Sequence, residues 1–348
     1  MTKEFDPKNM SNDDFTFDEA AFDEAFDEQY EEINAQLLEE VHIAMIGDIN
    51  TGKSSTINQI MGVDVAPTGA QPGETVEVQY YHYKDKIIFA DTPGLDDIKQ
   101  EHSEATMKFY KEADIVLFFL NAAGTVLSEG EKKNLDTIAK LNRNILLVLN
   151  KIDAAEDVPN IVKYVKNHTD NEFKVIPISS KTGEGIDTLR FDMLDILEKV
   201  NKETLMSKHI EGKKNKAKIA NRWINTASVS AAGVGAIPIP GSDFVPLTTI
   251  QVGLMIRLAT LYDKPMSKKA AKEFAIATVT GNIGKTIFRQ VVKIIPGAGS
   301  VAAAGVAGSM TYALGQAVKY AYENDLDLDM ATFTKFYKQF RKKDEFKM

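Results

Sequence analysis

Gly47-Asp48-Ile49-Asn50-Thr51-Gly52-Lys53-Ser54 decides the fold, because its spacing, G-x-x-x-x-G-K-S, suits a loop wrapped around the phosphates of a nucleoside triphosphate. Gly47 and Gly52 bracket a turn whose backbone N–H groups point at phosphate oxygens, where a side chain would block the approach. Lys53 supplies a point charge for the β- and γ-phosphates, and the Ser54 hydroxyl is a hard oxygen ligand suited to Mg²⁺. Asp48, Ile49, Asn50, Thr51 and Ser55 complete the phosphate-facing stretch. The flanks agree with this reading. Residues 41–46 are a short apolar run that reads as a buried strand, and residues 54–61 read as a helix whose N-terminus faces the anion. A chance glycine turn is the competing explanation, and the strand–loop–helix setting argues against it.

Composition bounds the rest. A chain of 348 residues accommodates two domains, each with its own core. It has no cysteine, which excludes disulfides and thiolate metal sites and favours a reducing compartment. The acidic start shows no apolar signal segment, so the expected location is cytoplasmic, with a peripheral position at the inner face of a membrane as the variant. The formal charge of −9 is unevenly placed: residues 1–40 hold fourteen carboxylates against Lys3 and Lys8, a net −12, leaving +3 for everything after them. Phe22, Phe26, Tyr30, Ile33 and Leu37 recur at helical spacing in that acidic stretch, which predicts an amphipathic helix over 18–39. It reads either as a helix packed by its aromatic stripe or as a docking arm.

From residue 41 to about 200, strands at 41–46, 76–83, 86–90, 115–121, 144–149 and 174–178 alternate with helices. This pattern predicts an α/β domain with a six-stranded, mostly parallel sheet. The Lys84-Asp85 pair predicts a tight hairpin, hence one antiparallel edge strand. The chemistry follows the strand ends, where ligands of open α/β sheets bind. Asp91-Thr92-Pro93-Gly94 follows the third strand: an Asp there can hold Mg²⁺ through water, and the Gly94 N–H can reach a γ-phosphate. Asn150-Lys151-Ile152-Asp153 follows the fifth strand. The Asp153 carboxylate can accept from guanine N1–H and the exocyclic amine, a donor pair that adenine lacks. Asn150 braces the loop or reaches the purine edge, and the Lys151 stem covers the ring. Ser179, Ser180 and Lys181 follow the sixth strand, where backbone N–H groups can meet guanine O6.

Taken together, these four elements resemble the translation-factor-related P-loop GTPases, most closely the Era and TrmE branch, over residues 41–200. The resemblance implies GTP hydrolysis with Lys53, Thr75 and Gly94 at the reacting phosphate and Mg²⁺ held by Ser54, Thr75 and Asp91. Thr75 stands where such enzymes have a switch threonine, with Thr68 as competitor. Leu95 stands where Ras-like enzymes place a water-orienting glutamine, which implies a low basal rate. Asn50 stands where potassium-activated members bind K⁺, and a plain turn residue is the equal alternative.

Residues 201–222 carry seven basic residues, from Lys202 to Arg222, against Glu203 and Glu211, and read as one helix leaving the α/β domain. Residues 223–242 and 294–318 contain no charged residue and are rich in Gly, Ala and Ser. Pro238, Pro240 and Pro296 argue for corners of an all-helical bundle rather than membrane spans, with Asp243 as an N-cap for a helix through Leu261. The stretches Ile237-Pro238-Ile239-Pro240-Gly241-Ser242-Asp243 and Ile294-Ile295-Pro296-Gly297-Ala298-Gly299 resemble the YcjF-type C-terminal domain, which implies no chemistry. Residues 325–348 predict a last helix with Phe333, Phe336, Tyr337 and Phe340 on one face and Lys335, Lys338, Arg341, Lys342 and Lys343 on a wet basic face. The domain division is therefore 1–40, 41–200, 201–222, 223–324 and 325–348. The functional expectation is a slow GTPase switch acting through its helical domain. GTP-driven tethering or remodelling of an anionic membrane is the alternative, and RNA is the partner least supported. A protein partner or self-association through the GTPase domain completes the set of partners.

Overall fold

The computed structural model of the chain describes residues 18–48, 50–66, 79–91, 104–235, 244–280 and 299–344. Its contacts divide into two compact units: one runs from Gln36 to Asn215, and the other joins Lys216 onward to the N-terminal segment ending at Ala35.

In the first unit, β1 (Val41–Ile46), β2 (Gln79–Tyr83), β3 (Ile87–Asp91), β4 (Ile115–Asn121), β5 (Ile145–Asn150) and β6 (Lys174–Pro177) form one sheet in the order β2-β3-β1-β4-β5-β6. Only the β2–β3 pair is antiparallel, as the hairpin reading requires. The central strands are continuous apolar runs because both faces are covered. Val116, Phe118 and Leu120 join the core with Tyr110 of α3 (Glu104–Glu112), Leu135 and Ile138 of α4 (Glu129–Ala139) and Val165 of α5 (Val158–His168). Leu117 and Phe119 are equally buried and point the other way. On that face lie α2 (Lys53–Met61) and α6 (Ile186–Glu198).

The hairpin differs from expectation by one residue. Tyr83 pairs with Ile87, so Lys84, Asp85 and Lys86 all belong to the turn, the first two with positive φ of 49° and 56°. The third residue is included because the Lys86 carbonyl accepts the Val41 N–H at 2.8 Å, stitching the turn to β1. The basic stretch 201–222 is not one helix either. It splits into α7 (Glu203–His209) and α8 (Lys213–Gly235), broken where Gly212 adopts φ 95° and the Glu211 N–H bonds the Met61 carbonyl at 2.7 Å. Nor is it a free solvated face, since Lys202 pairs with Asp114 at 2.9 Å.

The second unit is helical: α1 (Glu19–Gln36), the length of α8 from Lys216, α9 (Phe244–Leu261), α10 (Lys268–Thr280), α11 (Gly299–Glu323) and α12 (Met330–Asp344). Small residues permit close crossings. A Cβ on Gly315 would lie 2.7 Å from Ile224, and one on Gly308 would lie 3.0 Å from the Ser228 carbonyl. Phe333 is fully buried and stacks on Phe274 with ring centroids 4.4 Å apart. Arg341, expected on the wet basic face, is buried at 3% exposure beside Tyr337.

The acidic helix is shorter than the predicted 18–39, and it packs. Phe22, Phe26 and Ile33 are buried, whereas Tyr30 is 47% exposed. Its acidic side meets α10: Lys272 Nζ lies 2.7 Å from Asp23 and 3.4 Å from Glu19, and Lys268 lies 2.5 Å from Asp27. The aromatic-stripe reading describes this helix, and α10 supplies cationic partners for its acidic side. The prolines at 238, 240 and 296 and Asp243 lie outside the described residues. Among the described residues no helix is long and apolar enough to cross a membrane.

Candidate functional site

The phosphate loop leaves β1 at Ile46 and enters α2 at Lys53. Gly47 takes φ 149°, and a Cβ there would come within 2.7 Å of Phe119 on the neighbouring strand. Gly52 takes φ 88°, and a Cβ there would lie 2.2 Å from the Asn150 amide. Both glycines are therefore demanded by close approach as well as by φ. Gly52 starts α2 without a side-chain cap, so the first-turn N–H groups of the helix point at the loop. Thr51 Oγ1 donates to the Asp48 carbonyl at 2.8 Å and tightens the turn, and Asn50 sits in it with φ 66°.

Lys53 is not the exposed side chain that an open loop suggests. It is 8% exposed, and its ammonium donates to the carbonyls of Gly47 (2.8 Å) and Asp48 (3.2 Å) while facing Asp91 at 3.4 Å. Burial pushes the Asp91 carboxyl above the usual range, and Lys53 pulls it part of the way back. Asp91 Oδ1 is buried and accepts no hydrogen bond from the described residues.

Sequence reasoning missed Gln79 and Tyr81. The register places Gln79 opposite Asp91, and the Tyr81 hydroxyl donates to Gln79 Oε1 at 2.9 Å. Burial, and secondarily the Asp91 charge, raise the Tyr81 hydroxyl, and the Ser54 side chain lowers it part of the way back. Their alternation on β2 was readable from the sequence, but only the hairpin register shows that they face Asp91.

At the other end of the site, Asn150 is fully buried and decides between its two readings by its bonds. Its Nδ2 donates to the Thr51 carbonyl (2.6 Å) and Ser180 Oγ (3.1 Å), and its Oδ1 accepts the Ser180 N–H (3.0 Å). It thus laces the phosphate loop to the loop after β6. Both amide hydrogens serve protein acceptors, so the bracing role is the observed one. Lys151 follows in the left-handed region, φ 66°. Asp153 Oδ1 accepts from Ser179 Oγ at 2.7 Å, with Lys181 Nζ 3.9 Å away, and the Ser179 bond holds this carboxyl below its usual range. Ser179 Oγ in turn accepts the Thr182 N–H at 3.1 Å. An ionised carboxylate is therefore presented at the end of β5, aimed by a serine from the end of β6.

Ile49, Thr68, Thr75, Thr92, Gly94 and Leu95 lie outside the described residues. The structure does bring together Asp48, Asn50, Thr51, Gly52, Lys53, Ser54 and Asp91 at the phosphate end and Asn150, Lys151, Asp153, Ser179, Ser180 and Lys181 at the base end. Asn150 joins the two groups.

Comparison with known proteins fits this geometry. Residues 42–151 match the family described as 50S ribosome-binding GTPase. That segment therefore resembles a GTPase domain. GTPase Era of Lactobacillus delbrueckii subsp. bulgaricus is 31% identical over 165 residues, covering 44% of this chain and 54% of that protein. The tRNA modification GTPase MnmE of Chlorobaculum tepidum is 30% identical over 173 residues, covering 47% of this chain and 36% of that protein. Among solved structures, the G domain of the T. maritima FeoB iron transporter aligns at 25% identity with a TM-score of 0.33, covering 45% of this chain and 99% of that one. The chain spans about half the length of the Era relative it matches, 54%.

Proposed function

We propose that the chain binds GTP and GDP, hydrolyses GTP slowly and acts as a switch whose output lies in its helical unit. The observation that carries this is the Asn150 brace, which ties the Gly47–Ser54 loop to the loop after β6, whose Ser179 aims the Asp153 carboxylate.

The reaction is in-line attack of water on the γ-phosphate. Lys53 exchanges its Gly47 and Asp48 carbonyl partners for phosphate oxygens, and the first-turn N–H groups of α2 take the remaining charge. The residues present fit Mg²⁺: Asp91 presents a buried oxygen without a hydrogen-bond donor among the described residues, and Ser54 lies in the first turn of α2. Bound Mg²⁺ neutralises charge on the transferring phosphoryl group. Thr75 and the Gly94 N–H belong to the proposal through their positions in the sequence. Asn50 is the residue proposed to support K⁺. Self-association or contact with an anionic membrane surface is tested by sedimentation and by liposome flotation with and without GTP.

Titration with GTP, GDP and ATP in the presence of Mg²⁺ tests the central reading. The expected result is binding of both guanine nucleotides and none of ATP. Equal affinity for ATP and GTP overturns it.

A further inference from the structure

Glu211, in the three-residue break between α7 and α8, is where two rods from the phosphate site meet. Its backbone N–H bonds the Met61 carbonyl at the end of α2, 2.7 Å away. Its carboxylate accepts from Lys84 Nζ at 2.9 Å and from the Tyr83 hydroxyl at 3.3 Å, both at the tip of the β2–β3 hairpin. Its carbonyl accepts from Asn215 Nδ2 at 2.8 Å, in the first turn of α8. The seat is tight: a Cβ on Gly62 would lie 2.5 Å from the Glu211 carbonyl oxygen. The end of α2 is also held from α6, where Arg190 donates to the Ile60 and Gln59 carbonyls at 3.0 and 2.9 Å.

At the phosphate end the same two rods meet again. Lys53 begins α2, Asp91 ends β3, and the two charges are 3.4 Å apart. Both rods are short and stiff, about 13 Å for the nine residues of α2 and about 17 Å for the five of β3. Both nucleotides compete for Lys53, GDP with its β-phosphate alone and GTP with its β- and γ-phosphates, so a triphosphate replaces the tie between α2 and β3 more completely. A shift of one rod against the other cannot be absorbed within either. It is delivered to Glu211, which is bonded both to the end of α2 and to the tip of the hairpin that leads into β3.

We propose that Glu211 is a nucleotide-sensing joint, which sets the root of α8 differently in the GDP and GTP states. The helix runs unbroken from Lys213 to Gly235, so its first turn carries the change onward. The inference deepens the switch reading and rests on it. What it adds is a named element, the Glu211 bonds to Met61, Lys84 and Tyr83, on which the two nucleotide states are to act differently.

The test is hydrogen exchange on the full chain loaded with GDP or with a non-hydrolysable GTP analogue and Mg²⁺, with nucleotide binding measured on the same samples. Lys84→Ala removes a half-exposed partner without touching the joint's backbone, and Glu211→Ala keeps the bond to Met61 while deleting the carboxylate. In the wild-type chain, amides of residues 210–222 should exchange differently in the two states. That difference should be lost in either variant while affinity for both nucleotides is retained. A difference undiminished in both variants overturns the joint, as does a wild-type chain that binds both nucleotides and shows none. Absence of nucleotide binding overturns the switch reading itself, and the joint with it.

Discussion

Replacing Asn150 by alanine tests the brace on which the site depends. The side chain is fully buried and makes three hydrogen bonds, to the Thr51 carbonyl, to Ser180 Oγ and from the Ser180 N–H. An average bond contributes about 1 kcal/mol net, and a buried group left without its partner costs about 1–3 kcal/mol. Two backbone groups lose their partner here, so the loss is roughly 2–6 kcal/mol, or about 30- to 25,000-fold in the equilibrium that orders the loop. That loss falls on whatever needs the loop ordered. Guanine nucleotide affinity, measured by fluorescence titration, should drop by a factor within that range, and the amides of Thr51, Gly52 and Ser180 should exchange faster. Asn121 is the control. It stands opposite Asn150 in the sheet register, and its Oδ1 accepts from the local Ala123 N–H at 3.1 Å. Asn121→Ala should leave affinity unchanged. Trp223, the single tryptophan, lies on α8 in the helical unit and monitors the integrity of that unit in every variant. Wild-type affinity and exchange in Asn150→Ala would refute the reasoning.

Asp153→Asn should move preference from guanine to xanthine nucleotides, whose C2 oxygen replaces the exocyclic amine, and competition titration with XTP reads the change. Lys53→Ala should abolish detectable turnover and weaken triphosphate binding more than diphosphate binding. Because Lys53 is buried against two carbonyls and Asp91, it should also lower the melting temperature, which calorimetry of the apo chain measures. The Asp91 carboxyl has a raised pKa, so it takes up a proton above the usual carboxylate range. The folded state holds that proton more tightly than the unfolded one, so this group subtracts stability as pH rises through its folded pKa. Mg²⁺ requires the ionised form, so Mg²⁺-nucleotide affinity should weaken on mild acidification, and a pH series of titrations in wild type and Asp91→Asn shows whether Asp91 is responsible. If Asn50 supports a cation, turnover should be higher in KCl than in matched NaCl, and Asn50→Ser should erase the difference. Deleting residues 1–36 uncovers the surfaces that Phe22, Phe26 and Ile33 bury, at roughly 1.5–3 kcal/mol for each fully buried side chain. The helical unit should then melt earlier, and an unchanged melting curve would show that α1 is only loosely held.

The parts of this protein that the sequence by itself determined are those written into contiguous residues. The glycine spacing at 47–54, the strand runs such as Ile115–Asn121 and the four loop motifs in order each carry their chemistry locally. A phosphate loop between a strand and a helix needs only neighbouring residues to be recognised, and apolar runs of six or seven residues announce buried strands without knowledge of their partners. What only the tertiary structure decided are pairings between residues far apart in the chain. Asn150 reaches Thr51 across ninety-nine positions, Glu211 reaches Lys84 across 127, and the acidic helix pairs with Lys268 and Lys272. Charge patterns showed that the arm seeks cations, but every lysine is equivalent to a charge count. Which lysines it meets belongs to packing, where the burial of Phe22 and Phe26 sets the helix beside Lys268 and Lys272.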